Sequence, residues 1–460
     1  MISEDYAAFL ASKAPRPQAC GFEPGPMHEA LFDYQRDVVA FCLRQGRAAL
    51  FLDTGMGKSI CTIEWCEQAA KASNGYALIL TPLAVAKQFE REAKKFGYEA
   101  RVVRSSEDVK PGINICNYDR LDLLDLSVFG AVALDESSIL KSFNGKTTRA
   151  LISAFEDTPY RLCATATPAP NDHMELGNHA EFLGIMNSQE MLARWFINDT
   201  STASQQWRLK KSAVHDFWDW VASWARCAES PADLGYDASR FVLPPLNIHR
   251  HQAFGDIRAP AGALFIEDMS ATNIHDVKRQ TASARAKAVE SLVMAEFEEP
   301  WLIFCDTDYE ADELALRLSS AIEIRGGMSA EKKEAAIEQF IAGKEWLISK
   351  PGIVGAGLNF QHCARIAYVG RNFSYESFYQ SVRRCWRFGQ TRPVDVHLIV
   401  AEGEDQIGRV IDQKSEGHKT MKRAMAEAMK RAAYAGEQNA KIKYNPTHIG
   451  EFPKWLKSVA

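Results

Sequence analysis

Residues 51–59 read FLDTGMGKS, set between the apolar run 48–52 and the helix-period run 60–70. A strand that ends in a glycine turn and feeds a helix is the setting a phosphate-binding loop requires. Gly55 and Gly57, with Thr54 and Met56 beside them, let the backbone curl so that its N–H groups and the helix N-terminus face an anion. Lys58 is then placed to reach β and γ phosphate groups, and Ser59 to ligate Mg²⁺. The strict pattern has glycine five places before Gly57, where this chain has Leu52; the lysine, the hydroxyl and the turn remain. The bland alternative is a glycine turn with an incidental lysine.

Around this loop, short apolar runs alternate with helix-period segments in two separate blocks, the signature of parallel sheets with helical crossovers. The first block predicts strands at 48–52, 76–81, 113–118, 131–135 and 160–165, and the second at 301–305, 321–324, 345–349, 365–369 and 394–400. Between the blocks the alternation stops, and half of the tryptophans gather there: Trp195, Trp207, Trp218, Trp220 and Trp224. Aromatics at that density predict a small helical core ahead of a base-stacking surface. After Gly417 the chain turns basic, with Lys419, Lys422, Arg423, Lys430 and Arg431 in an Ala-rich helical pattern. That pattern reads as a solvated amphipathic helix, with DNA contact as the other option.

At 460 residues the chain exceeds one ordinary core. The expected division is a lead at 1–27, an ATP-binding lobe at 28–186, a helical inter-lobe segment at 187–284, a second lobe at 285–403 and a helical basic tail at 404–460. A formal charge of -5 argues against coating nucleic acid but permits a local basic track. Ten cysteines without a CxxC pair, several in apolar strand-like runs, read as reduced core thiols of a cytoplasmic protein and leave no zinc site. No segment approaches about 18 uninterrupted apolar residues, and the N-terminus carries no cleavage signal, so neither membrane insertion nor secretion is expected.

The run 131–141, AVALDESSILK, puts two carboxylates at the carboxyl end of an apolar strand, where open parallel sheets bind ligands. Asp135 is positioned to hold Mg²⁺, and Glu136 to orient or deprotonate an attacking water. Residues 380–390 read QSVRRCWRFGQ. On a helix Gln380, Arg384 and Arg387 share one face at i, i+4 and i+7, while Phe378, Val382 and Cys385 share another that can pack on a core. Two rigid guanidiniums so supported suit the charge that develops on a transferring phosphoryl group. A solvated basic face is the alternative.

Taken together the motifs resemble a superfamily 2 helicase or translocase of the Swi/Snf-like branch, DEAD/DEAH-box helicase-like, and in particular its compact phage and prophage members. Phe32-Asp33-Tyr34-Gln35 resembles the adenine-reading Q segment, DTGMGKS motif I, LTPLAVAKQF from Leu80 motif Ia, CNYDRL from Cys116 motif Ib and DESSILKS from Asp135 motif II. ATATPAPND from Ala164, running into MELGNHAEFL, is similar to motif III and the helix after it. WLIFCDTD from Trp301 resembles motif IV, GAGLNF from Gly355 motif V, and QSVRRCWRFGQ motif VI. The match covers nearly the whole chain.

The resemblance implies an α/β chain of two RecA-like lobes that bind ATP and Mg²⁺ in the cleft between them. Lobe 1 would supply Gln35, the loop 54–59, Asp135 and Glu136, and lobe 2 would supply Arg384 and Arg387. Gln380 and the loop holding Gly355 and Gly357 would sense the γ-phosphate and the nucleic-acid backbone, while Thr165 and Thr167 would couple the lobes. Besides Leu52, motif II has Ser137 and Ser138 where a small residue and histidine are usual, and motif VI has Arg383 for a common glycine and Trp386 for a common histidine. The implied function is an ATP-dependent motor on double-stranded DNA, in a bacterial host cytoplasm if phage-encoded. A strand-separating helicase and a catalytically silent, ATP-gated DNA-binding scaffold are the alternatives.

Overall fold

The computed structural model of the 460-residue chain describes residues 18–82, 85–141, 145–199, 206–253, 271–343, 345–354, 358–370, 372, 374–401 and 405–436. Lobe 1 runs α1 (Asp33–Gln45), β1 (Arg47–Leu52), α2 (Lys58–Ala72), β2 (Tyr76–Thr81), α3 (Ala86–Lys95), β3 (Ala100–Val102), β4 (Gly112–Asn117), β5 (Ala131–Asp135), α4 (Lys146–Ala154), β6 (Tyr160–Ala164) and α5 (Leu176–Phe182). Next come α6 (Ser188–Trp195), the antiparallel ribbon β7 (Phe196–Asp199) and β8 (Gln206–Leu209), α7 (Val214–Trp224), β9 (Ala225–Ala228) and β10 (Leu246–Ala253). Lobe 2 runs α8 (Ala271–Ala295), β11 (Trp301–Phe304), α9 (Asp308–Arg317), β12 (Ile322–Ile324), α10 (Ala330–Ala342), β13 (Trp346–Ser349), α11 (Pro351–Val354), β14 (Arg365–Tyr368), α12 (Tyr375–Val382) and β15 (Val394–Ala401), and α13 (Asp405–Gly436) follows it.

The seven strands of the first sheet lie in the order β3-β4-β2-β5-β6-β1-β9, and the six of the second in the order β10-β15-β14-β11-β13-β12. All pairings in both sheets are parallel. Two RecA-like parallel-sheet lobes with helical crossovers are therefore the architecture.

The reason is visible in the strands, which are apolar on both faces as a sheet covered by helices on each side demands. In lobe 1, Ala48, Leu50, Leu52, Ile79 and Ala133 face a core shared with α1 and α2, while Ala49, Phe51, Leu78, Leu80, Val132 and Leu134 face the opposite one. In lobe 2, Leu302, Phe304 and Ile366 take one side, and Trp301, Ile303 and Ala367 the other. The carboxyl ends of β1, β5 and β6 consequently open on one edge of lobe 1, where the charged motif residues begin.

The segment between the lobes does not build a separate core, as its tryptophans had suggested. Trp195, Trp218, Trp220 and Trp224 are buried in the second core of lobe 1, with Trp224 against Phe51 and Trp195 against Trp220 at ring-centroid distances of 6.0 and 4.7 Å. Its strands also divide, β9 pairing with β1 and β10 with β15. The tail departs from expectation too. Met421, Met425, Ala428 and Met429 of α13 sit in the lobe 1 core, so one face of the basic helix is packed. Burying the apolar residues of that face is favourable, while Lys419, Arg423 and Lys430 stay exposed and keep their solvation.

Candidate active site

The phosphate loop occupies the turn between β1 and α2. Gly55 and Gly57 have φ of 94° and 78°, the left-handed region that glycine enters without Cβ strain, and Gly57 caps α2. A Cβ on Gly57 would stand 2.2 Å from Gln35 Nε2. Gln35 is buried there, its Nε2 donating to Met56 O at 3.0 Å and its Oε1 accepting from Phe32 N at 3.0 Å, while Tyr34 Oη donates to Met56 O at 2.9 Å. The glutamine of the first helix thus braces the loop from behind. Lys58 Nζ donates to the Leu52 carbonyl at 2.9 Å. Burial lowers the lysine's pKa, opposed by the charges of Glu136, Asp53 and Asp135. Ser59 lies in the first turn of α2, and burial raises the pKa of Glu92 of α3, opposed by Ser59 and Arg387.

Asp135 ends β5 and Glu136 follows it with φ of 52°, the sole non-glycine residue with positive φ among the described residues. Such a conformation places a side chain where a regular strand continuation would not, at a cost of order 1–2 kcal/mol. Asp135 Oδ2 accepts from Thr81 Oγ1 at 3.0 Å, and its carbonyl accepts from Tyr118 Oη at 2.7 Å. Burial and then the adjoining Glu136 charge push the Asp135 carboxyl up to about 7, against Thr81, Lys58 and Arg384. A relay of hydroxyls leads away from the pair. Thr165 Oγ1 lies 3.3 Å from Glu136 Oε2 and accepts from Thr167 N at 3.1 Å, and Gln380 Nε2 of lobe 2 donates to Thr167 Oγ1 at 3.3 Å.

Lobe 2 brings its arginines to the same place, by a route that differs from the expected helix face. Helix α12 ends at Val382, and residues 383–389 continue as turns held by Arg384 N to Ser381 O and Trp386 N to Val382 O. Arg384 and Arg387 still converge, because both donate Nη1 to the Leu358 carbonyl, at 3.3 and 3.2 Å. Arg384 Nη2 is 3.8 Å from Glu136 Oε1 across the cleft. Burial lowers the pKa of both arginines, that of Arg387 to about 10. Gly355 and Gly357 lie outside the described residues.

Asp135 beside Glu136 is a crowded, buried pair of carboxyls, and a divalent cation is the chemistry that relieves it. Among the described residues no group of three or more His, Cys, Asp or Glu side chains could hold a metal alone. The Asp135 carboxyl and the Ser59 hydroxyl are oxygen donors of the kind Mg²⁺ takes alongside phosphate oxygens and water.

Two features escaped sequence reasoning. The first is Asp53, 5% exposed, whose Oδ1 accepts from Tyr379 Oη at 2.5 Å and whose Oδ2 pairs with Arg383. Arg383, which stands where motif VI commonly has glycine, thus faces the lobe 1 loop, and its guanidinium lies 4.9 Å from the Trp386 ring centre. Trp386 donates Nε1 to Pro244 O at 2.7 Å. The second is an aromatic group in which Phe241 meets Phe32, Tyr34 and Phe388 at centroid distances of 5.7, 5.6 and 4.8 Å. A buried acid and an aromatic contact between distant segments are not legible in motif spacing.

Comparison with known proteins bears on this geometry. Residues 284–389 match the family described as "Helicase conserved C-terminal domain". The chain is 22% identical over 426 residues to the SWI/SNF-related matrix-associated actin-dependent regulator of chromatin subfamily A-like protein 1 of Xenopus tropicalis, a match covering 84% of this chain and 44% of that protein. It is 23% identical over 450 residues to the DNA annealing helicase and endonuclease ZRANB3 of Mus musculus, covering 85% of this chain and 41% of that protein. These matches make the chain similar to superfamily 2 helicases of the Swi/Snf-like branch. The chain spans less than half the length of those two relatives. A solved Sulfolobus solfataricus SWI2/SNF2 ATPase core in complex with dsDNA is 16% identical to it, with a TM-score of 0.40 over 94% of this chain and 100% of that one. No helix among the described residues is long and apolar enough to cross a membrane.

Proposed function

We propose that the chain is an ATP-dependent motor that moves along double-stranded DNA and hydrolyses ATP between its lobes. The observation that carries this reading is the approach of Arg384, on lobe 2, to within 3.8 Å of Glu136, on lobe 1, in the same buried site as Lys58 and Asp135. Charges of both signs so gathered suit phosphoryl transfer, which asks a protein mainly for positioning and electrostatic stabilisation.

The roles follow from position. The loop 54–57 and the N-terminus of α2 cradle phosphates, Lys58 contacts the β and γ groups, and Ser59 with Asp135 holds the Mg²⁺ that offsets their charge. Glu136 orients the attacking water and accepts its proton. Arg384 and Arg387 stabilise charge on the transferring group once lobe 2 closes. Gln380, through Thr167 and Thr165, ties that closure to Glu136. A site assembled only on closing makes hydrolysis and release a cycle of closing and opening, and a duplex held by both lobes is ratcheted by it.

Duplex DNA as the track rests on the motif resemblance and on the likeness to the Swi/Snf-related relatives. The relatives above come from animals, so the phage type stays with the motif resemblance. A reducing cytoplasm accords with ten free thiols, nine of them buried. The test is ATP turnover with duplex DNA, single-stranded DNA, RNA and no nucleic acid. Duplex is expected to stimulate most, with binding that weakens steeply with salt; equal turnover in all four would sink the motor reading. Release of a labelled strand would instead mark a strand-separating helicase.

A further inference from the structure

We infer that Lys422, on the tail helix, is a positioning residue for this cycle: it is the resident counter-ion of Asp53 and lets lobe 2 withdraw Arg383 without stranding a buried carboxylate beside the phosphate loop. The inference rests on the two-lobe ATPase reading and names a residue which that reading does not use.

Asp53 sits between the end of β1 and Gly55, and four groups converge on it. Its own loop donates Thr54 N to Oδ1 at 2.7 Å, and lobe 2 contributes Tyr379 Oη and the Arg383 guanidinium. Lys422, with 2% of its side chain exposed, places Nζ 3.7 Å from Asp53 Oδ1, 3.3 Å from Tyr379 Oη and 3.3 Å from Glu229 Oε1. Burial alone would raise the Asp53 pKa, yet Arg383 and Lys422 together hold it well below the usual carboxylate range.

The two cations belong to different bodies. Arg383 and Tyr379 travel with lobe 2. The half of α13 that carries Lys422 is held on lobe 1, because Met421, Met425 and Met429 are in the lobe 1 core, Cys227 N donates to Met429 Sδ, and Arg431 pairs with Asp219 of α7 at 2.7 Å, whereas Ile411 and His418 earlier on the helix pack on Tyr375 and Tyr379 of lobe 2. When the lobes part, Arg383 leaves and Lys422 stays. An unpaired buried carboxylate is strongly unfavourable. The next cation within reach of Asp53 is Lys58, which the nucleotide needs. Lys422 thus keeps Lys58 for the phosphates and, by sharing Asp53 with Arg383, weakens the closed latch enough for it to reopen.

Removing either cation deletes one positive charge from the same cluster, and the consequences have opposite sign. Arg383→Met loses the bond that draws lobe 2 in, so the lobes open. Lys422→Met removes the competitor and leaves Asp53 unpaired only in the open state, so the lobes close. Methionine has room there, since Lys422 borders a cavity of about 170 Å³ against β9.

The experiment uses the full chain, labelled for energy transfer at Cys20, the one exposed cysteine, and at Leu316→Cys, a residue 78% exposed on lobe 2. Lobe closure is read without nucleotide and with ADP, alongside the rate of ADP release. Lys422→Met should raise the closed fraction and slow ADP release by about threefold or more, lowering kcat without raising KM for ATP; Lys422→Arg should match the parent. Lys422→Gln replaces the Met variant if that one does not fold. Shifts of the same sign for the Arg383 and Lys422 variants, parent-like closure in both Lys422→Met and Lys422→Gln, or an Arg variant that moves as far as the Met variant would each overturn the inference. A parent that closes on nucleotide yet never turns over ATP overturns the functional reading and leaves this one standing.

Discussion

Gly57→Ala tests how the first helix and the phosphate loop depend on each other. At φ of 78° an alanine adopts the left-handed region, which costs about 1–2 kcal/mol. Its methyl would also lie 2.2 Å from Gln35 Nε2, so the glutamine must leave. That movement gives up the bonds to Met56 O and Phe32 N, worth about 1 kcal/mol each. The sum is about 3–4 kcal/mol. Urea unfolding followed by tryptophan fluorescence measures it, and Gln35→Ala supplies the control. Alone, Gln35→Ala should lose about 2 kcal/mol through the same two bonds. Because the glutamine is lost only once, the double variant should be no less stable than Gly57→Ala, and the single effects should exceed it in sum by about 2 kcal/mol. A Gly57→Ala loss under about 1 kcal/mol, or strict additivity with Gln35→Ala, would refute the bracing argument.

Further outcomes follow from the same coordinates. Arg384→Ala and Arg387→Ala should each slow phosphate release on the order of 10³-fold while nucleotide affinity changes little, since a finger acts on transition-state charge; unchanged turnover in folded protein counts against the role. Glu136→Gly should abolish turnover and raise the melting temperature, because it relieves the left-handed strain of about 1–2 kcal/mol and the repulsion of Asp135; a lower melting temperature would show that the residue is not strained. His179, fully buried against Ser137 Oγ at 3.2 Å, has its pKa lowered by burial to about 4. A folded pKa below the unfolded value of about 6.5 means the native state resists protonation, so stability present at pH 7 falls as pH drops, by about 2 kcal/mol at pH 5. His179→Gln should flatten the loss between pH 7 and 5 by that amount, and an identical pH slope would exclude His179 as its source.

Much of the fold is written locally. Each strand anticipated from an apolar run is present to within about a residue at its ends, because a strand covered on both faces needs a continuous apolar stretch and a helix needs its own period. The strands that were missed, β3, β7, β8, β9 and β10, carry no long apolar run: β3 is three residues long, β7, β8 and β9 are four each, and β10 is an edge strand of polar residues such as Asn247, His249 and Arg250. In the candidate site, Lys58, Ser59, Asp135 and Glu136 could be proposed from the sequence because each lies within a residue or two of a strand end or helix start, a short-range pattern.

What the chain order could not contain is which charges meet. Asp53 and Arg383 are 330 positions apart, and their pairing exists only because two separately built sheets set β1 and α12 edge to edge. Likewise Lys422 reads as one more basic residue on an amphipathic helix until Met421, Met425 and Met429 bury that helix in lobe 1 and carry the lysine to Asp53. Sequence alone determined the two sheets, the phosphate loop and the acidic pair, since each depends on neighbours within a few residues. The tertiary structure decided the partner of every charge that crosses the cleft, since burial converts a solvated surface residue into one that must find its counter-ion.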